Sequence, residues 1–95
     1  MKNWSDLLKK IIEPPKTLST AVDRLLTVLN SEQKLVIALI PEKDLNGLQT
    51  TLGKAIRKGF GLHNPSSKLL VDCGTTRPDD ATEIIMKEVR KTLTE

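Results

Sequence analysis

The apolar residues of this chain recur every three or four positions, the spacing that places side chains on one face of an α-helix. From Asn3 to Glu13 apolar and polar positions alternate in this way, and Pro14-Pro15 ends the helix because proline cannot continue it. The pattern predicts an N-terminal amphipathic helix with a Pro-Pro link, residues 1–15, followed by a helical domain, residues 16–95.

Within that domain, the same spacing predicts several more short helices. One begins at a cap, Thr17 or Ser19, and the next begins at Ser31, a residue favoured as an N-cap. A third opens at Pro41 and keeps one apolar face as far as Ile56. We therefore expect short connections and antiparallel packing of neighbouring helices.

The last helix has the most regular pattern. It follows Pro78-Asp79-Asp80 and carries Glu83 and Lys87, an oppositely charged pair four residues apart. Its apolar positions are Ala81, Ile84, Ile85, Val89 and Leu93. Together these elements predict an all-α fold, a compact bundle of five or six short helices in a single domain.

The run "KLVIALIP" fits two structures, because periodicity alone does not separate a short buried helix from a buried strand. As strands, residues 35–40 and 69–73 would give an α+β fold. The preceding Ser31-Glu32-Gln33 has the character of a cap and first helical turn, and two short strands form only a marginal sheet. We expect a short, fully buried helix here, with the α+β arrangement as the alternative.

Charge and aromatic content bear on the partner. The net charge is +3, with lysine and arginine dispersed among almost as many acidic residues. Nucleic-acid-binding domains usually combine a basic stripe with a motif or with aromatic residues that stack on bases, and here only Trp4 and Phe60 are aromatic. The composition therefore favours a protein partner, with nucleic acid as the alternative.

Cysteine content and hydropathy bear on location. Cys73 is the only cysteine, which rules out an internal disulfide and a CxxC metal pair and fits a reducing compartment. No segment reaches the ~20 consecutive apolar residues of a transmembrane helix, and the N-terminal residues lack the apolar run of a signal peptide. We expect a cytoplasmic protein with no cofactor.

The chain carries five ordered blocks, "AVDRLLTVL", "PEKDLNGL", "LGKAIRKGFGL", "KLLVDCG" and "PDDATEII". They resemble a bacterial family of small domains of unknown function whose members read approximately "PE.DL.GL…LG..IR..FGL…LL..CG…PDDA..II". The resemblance covers about four-fifths of the chain and begins after Pro15. Members often have a Trp beside "IR", where this chain has Ala55. The resemblance implies an architecture and supplies no catalytic residues.

Residues 56–81 contain the side chains most suited to chemistry. His63, Cys73 and either Asp79 or Asp80 are the residue types of a nucleophile, a base and an orienting acid. However, a cysteine at the end of an apolar run usually acts as a small buried hydrophobic residue, and acids at a helix start stabilise that end. One histidine and one cysteine do not complete a four-ligand zinc site. We expect no catalytic residues, no metal and no enzyme.

A connection between helices explains the same stretch better. Gly59 or Gly61 turns the backbone, and Phe60 and Leu62 then enter the core. The "NPSS" that follows is typical of a turn that leads into a helix cap.

A small helical domain without catalytic groups works most simply by binding another macromolecule. We expect a protein-interaction module, such as an adaptor, inhibitor or immunity-type protein, whose ligand is a protein partner or a second copy. The alternative is a nucleic acid-associated regulator that binds through a mildly basic patch. The candidate contact residues are Trp4, Leu8 and Ile11 of the N-terminal segment, and Lys54, Arg57, Lys58 and His63 around the connection. For Arg57, pairing with Asp79 or Asp80 within the chain is the competing expectation.

Overall fold

The structure, a computed structural model, describes residues 15–95. The predicted N-terminal helix, with Trp4, Leu8 and Ile11, lies outside the described residues. The described part forms five α-helices and one 3₁₀ helix: α1 Leu18–Val28, α2 Ser31–Leu39, the 3₁₀ helix Glu42–Leu48, α3 Leu52–Gly59, α4 Lys68–Cys73 and α5 Pro78–Thr94. The all-α bundle is confirmed. The α+β alternative is wrong, because residues 35–39 and 69–73 are helical.

Helix α5 is the centre of the bundle. It is 17 residues long, and every other helix of the described region packs against it. Its inner face is fully buried and consists of Ala81, Thr82, Ile85, Met86 and Val89. The regular apolar spacing of α5 therefore corresponds to the face that packs against the other helices.

The start of α1 is fixed by two side chains. The Thr17 hydroxyl accepts a hydrogen bond from the backbone N–H of Thr20 (3.1 Å), as a helix cap does. The Asp72 carboxylate accepts one from the backbone N–H of Leu18 (2.6 Å). Because Asp72 lies near the end of α4, this bond connects two helices that are far apart in sequence.

The start of α2 corrects one prediction. Its N-cap is Asn30, not Ser31, which is the first residue of the helix. The Asn30 side chain accepts a hydrogen bond from the backbone N–H of Gln33 (2.8 Å), and the Gln33 side chain accepts one from the backbone N–H of Asn30 (2.9 Å). This reciprocal capping box satisfies two helix-end donors at once, which a serine cap one residue later would not do.

The predicted continuous helix from Pro41 to Ile56 is wrong, because the chain forms the 3₁₀ helix, a turn, and then α3. Leu45 and Leu48 are both buried. A 3₁₀ helix has three residues per turn, so a spacing of three places both side chains on the same side. The same spacing also fits an α-helix, which is why the sequence pattern predicts one continuous helix.

The connection after α3 has the predicted form. Gly61 adopts a positive φ of 66°, which L-residues rarely adopt, and Phe60 and Leu62 on either side of it are fully buried. The Asn64 side chain then accepts a hydrogen bond from the N–H of Ser66 (2.9 Å), and Ser67 caps α4. The stretch holds α3 and α4 in place.

Candidate protein-interaction surface

Helix α2 is apolar on two opposite faces. Its inner face carries Ile37, which is 1% exposed. Its outer face carries Leu35, Val36 and Leu39, which are 57%, 37% and 73% exposed. At 3.6 residues per turn, Leu35 and Leu39 lie one turn apart on the side of the helix away from Ile37. The prediction of a fully buried helix is therefore wrong, and we call these three side chains the α2 outer face.

Contacts with α5 decide which side of α2 is buried. Arg90 of α5 donates a hydrogen bond from Nε to the carbonyl oxygen of Ile40, the C-cap residue of α2 (2.7 Å). Gln33 at the other end is buried and belongs to the capping box. Both ends are thus held against the bundle. Between them Ile37 faces the core, and Leu35 and Leu39 face outward.

An exposed face of this kind is unusual. A helix that is hydrophobic all round is normally buried all round, and single exposed apolar residues need no explanation whereas contiguous ones do. Among the described residues, the other large hydrophobic side chain with this degree of exposure is Val71 on α4. The α2 outer face therefore groups three of the four exposed large hydrophobic residues of the described region on one helix.

The basic residues named from the sequence fall into two groups. Lys54, Lys58 and His63 are exposed, and the two lysines lie one turn apart on α3. The Arg57 side chain is only 13% exposed. The patch therefore presents two lysines and a histidine to solvent, while Arg57 has contacts within the chain.

The Arg57 guanidinium joins three parts of the fold. Nη1 donates to the side-chain oxygen of Gln49 (2.5 Å), and Nη2 donates to the Gln49 backbone carbonyl (2.8 Å). Nη1 also lies 3.6 Å from Oδ1 of Asp79, in the first turn of α5. The expected pairing with Asp79 is confirmed. The sequence did not indicate Gln49, whose carbonyl is available because the turn before α3 interrupts the helix.

Gly53 allows this arrangement. A Cβ at Gly53 would lie 2.7 Å from the side-chain oxygen of Gln49 and 3.1 Å from Nη1 of Arg57. Gly47, in contrast, has no atom within 4 Å of such a Cβ. One glycine thus leaves room for a hydrogen-bonded pair, and the other lies at an open position.

The residues of the types found in catalytic sites, Cys73, His63, Asp79 and Asp80, lie in different environments. Cys73 is half-buried, and burial, followed by the nearby Asp72 carboxylate, raises the pKa of its thiol, so that the thiol stays protonated at neutral pH. His63 is exposed in the connection, and Asp79 and Asp80 lie in the first turn of α5. Across residues 15–95, no three His, Cys, Asp or Glu side chains are grouped so that they could hold a metal ion.

The described structure thus defines a small all-α domain with an exposed apolar helix face. Residues 14–93 match the family model described as a domain of unknown function (DUF6794), and the chain belongs to this family. No curated protein and no solved structure matches the sequence. None of the helices in the described region has the length and apolar character needed to cross a membrane.

Proposed function

We propose that this protein is a non-catalytic protein-interaction module and that the α2 outer face is the centre of its contact surface. The observation that carries the proposal is the exposure of Leu35 and Leu39, one turn apart on a helix whose opposite face is core. Adaptor, inhibitor and immunity-type proteins work through such surfaces without chemistry of their own. We propose that the protein acts in the cytoplasm, the location expected from the sequence.

The energetics favour a partner that covers this face. Full burial of a leucine side chain contributes about 1.5–3 kcal/mol. Leu35 and Leu39 are 57% and 73% exposed, so more than half of that contribution is unused in the free protein. A standard interface buries roughly 800 Å² on each partner, so these residues form the apolar centre and the surrounding polar residues form the rim.

The basic patch supports the alternative, a nucleic acid-associated regulator, less strongly. Its remaining exposed groups are Lys54, Lys58 and His63, since Arg57 binds Gln49. Few phosphate contacts give weak affinity, because each contact contributes through release of a counterion.

The experiment is affinity capture from a lysate of the source organism, with and without nuclease, using three tagged forms of the full chain. The first is wild type, and the second carries Leu35→Gln and Leu39→Gln, which keep the net charge and the helix propensity. The third carries Lys54→Gln and Lys58→Gln as a matched control on another exposed face.

The proposal predicts a stoichiometric protein that survives nuclease treatment, is lost with the leucine variant and is retained by the lysine variant. Loss of all captured material with nuclease, or with the lysine variant alone, would contradict it and favour the nucleic acid alternative. Circular dichroism of all three forms confirms that they are folded.

A further inference from the structure

A second surface, separate from the α2 outer face, lies between α1 and α5. It is a groove of about 470 Å³ whose floor is formed by Leu18, Val22 and Leu26. These three residues are spaced four apart, so they form one ridge that extends about 12 Å along α1 at 1.5 Å per residue. The ridge is the length of two helical turns.

The charged residues that line the groove are both acidic. Asp23 lines it from α1 and Glu88 lines it from α5, and the other lining residues, Ser19 and Thr92, are neutral. The chain as a whole is basic, with 15 Lys and Arg against 12 Asp and Glu. An acidic groove on a basic protein is therefore a local feature that the overall charge does not explain.

The geometry points to a basic amphipathic helix of a partner protein as the occupant of this groove. Apolar residues at every fourth position of that helix pack on the Leu18, Val22 and Leu26 ridge, in the manner of two helices whose ridges interlock. Lysine or arginine residues on both flanks of the same helix then meet Asp23 on one side and Glu88 on the other. This site is distinct from the surface in the proposed function, and either can fail without the other.

The test measures binding of two fluorescein-labelled helical peptides to the full chain by fluorescence anisotropy. In the basic peptide, leucine recurs at every fourth position with lysine on both flanks, and in the acidic peptide every lysine is replaced by glutamate. The protein variant carries Asp23→Lys and Glu88→Lys, and the control carries Glu32→Lys and Glu42→Lys, two reversals at exposed sites that do not line the groove.

The basic peptide is expected to bind wild type and the control alike. It should bind the groove variant about tenfold more weakly, because reversal of exposed Asp23 and half-buried Glu88 replaces attraction by repulsion. The groove variant should instead gain affinity for the acidic peptide. Failure of the basic peptide to bind wild type, or an equal loss in the control, would overturn the proposal.

Two further readouts distinguish other occupants. Self-association of wild type that the groove variant abolishes, measured by sedimentation, would assign the groove to a second copy and overturn the proposal. Trp4 is the only tryptophan, so its fluorescence reports on the N-terminal segment. A difference in that emission between wild type and the groove variant, both without peptide, would assign the groove to this segment and overturn the proposal.

Discussion

Arg90 on α5 donates a hydrogen bond of 2.7 Å to the carbonyl oxygen of Ile40, at the end of α2. The last carbonyls of a helix have no partner within it and carry a partial negative charge. The guanidinium satisfies one such carbonyl and places its positive charge at the favourable end of α2. Together with the burial of Ile37, this contact holds the helix that carries the exposed apolar face against α5.

Replacement of Arg90 by methionine is expected to lower the free energy of unfolding by about 1–2 kcal/mol, since the variant loses a charged hydrogen bond and leaves a partly buried carbonyl without its donor. Lys87→Met on the same helix is the control. Lys87 pairs with Glu83 at 3.3 Å in an exposed i,i+4 contact, which contributes only about 0.3–0.5 kcal/mol. Urea denaturation measures both, and equal losses would show that the Arg90 bond contributes little.

Two glycines should respond in opposite directions to alanine. Gly47→Ala is expected to stabilise the protein by about 0.5 kcal/mol, because its Cβ meets open space and alanine restricts the unfolded chain. Gly53→Ala is expected to destabilise it by about 1 kcal/mol, because the Cβ displaces the Gln49 oxygen from Arg57 and the lost hydrogen bond outweighs the gain in helix propensity. Thermal unfolding of both variants tests the difference, and a stabilised Gly53→Ala would refute it.

The two faces of α2 should differ in their effect on stability. Ile37→Ala removes a fully buried side chain and is expected to cost about 3 kcal/mol. Leu39→Ala removes a largely exposed one and is expected to change stability by no more than about 0.5 kcal/mol. A large loss in Leu39→Ala, measured by urea denaturation, would show that the outer face is covered in the free protein.

Cys73 should make stability depend on alkaline pH. Burial raises the pKa of its thiol in the folded state above the ordinary value of about 8.5, so the unfolded chain ionises first as pH rises. This contribution to stability is fully present below about pH 8.5 and is lost as pH increases towards the folded pKa. Denaturation at about pH 7.5 and about pH 9.5 should show a larger decrease for wild type than for Cys73→Ala. Equal decreases would mean that ionisation of the thiol is not coupled to folding.

Much of this fold follows from local pattern. The apolar spacing predicts α1 and α5, the glycines and the "NPSS" turn predict the connection around Phe60, and the position of Arg57 beside the buried face predicts an acidic partner within the chain. These features depend on residues close in sequence, or on charges that have few alternative partners.

Other features depended on how neighbouring turns of the chain pack into the core. The break between the 3₁₀ helix and α3 follows from how Leu45, Leu48 and Leu52 are buried together, which their spacing alone does not reveal. The partner of Arg57 includes the Gln49 carbonyl, which becomes accessible only where the helix is interrupted.

The sequence by itself determined α1, α5, the connection around Phe60 and the apolar character of "KLVIALIP". It did not determine which side of α2 would face the core, because Ile37, Leu35 and Leu39 are equally apolar and periodicity does not rank them. Only the tertiary structure decided this. Helix α5 covers one side of α2 and holds it there through Arg90, so Ile37 is buried and Leu35 and Leu39 remain exposed.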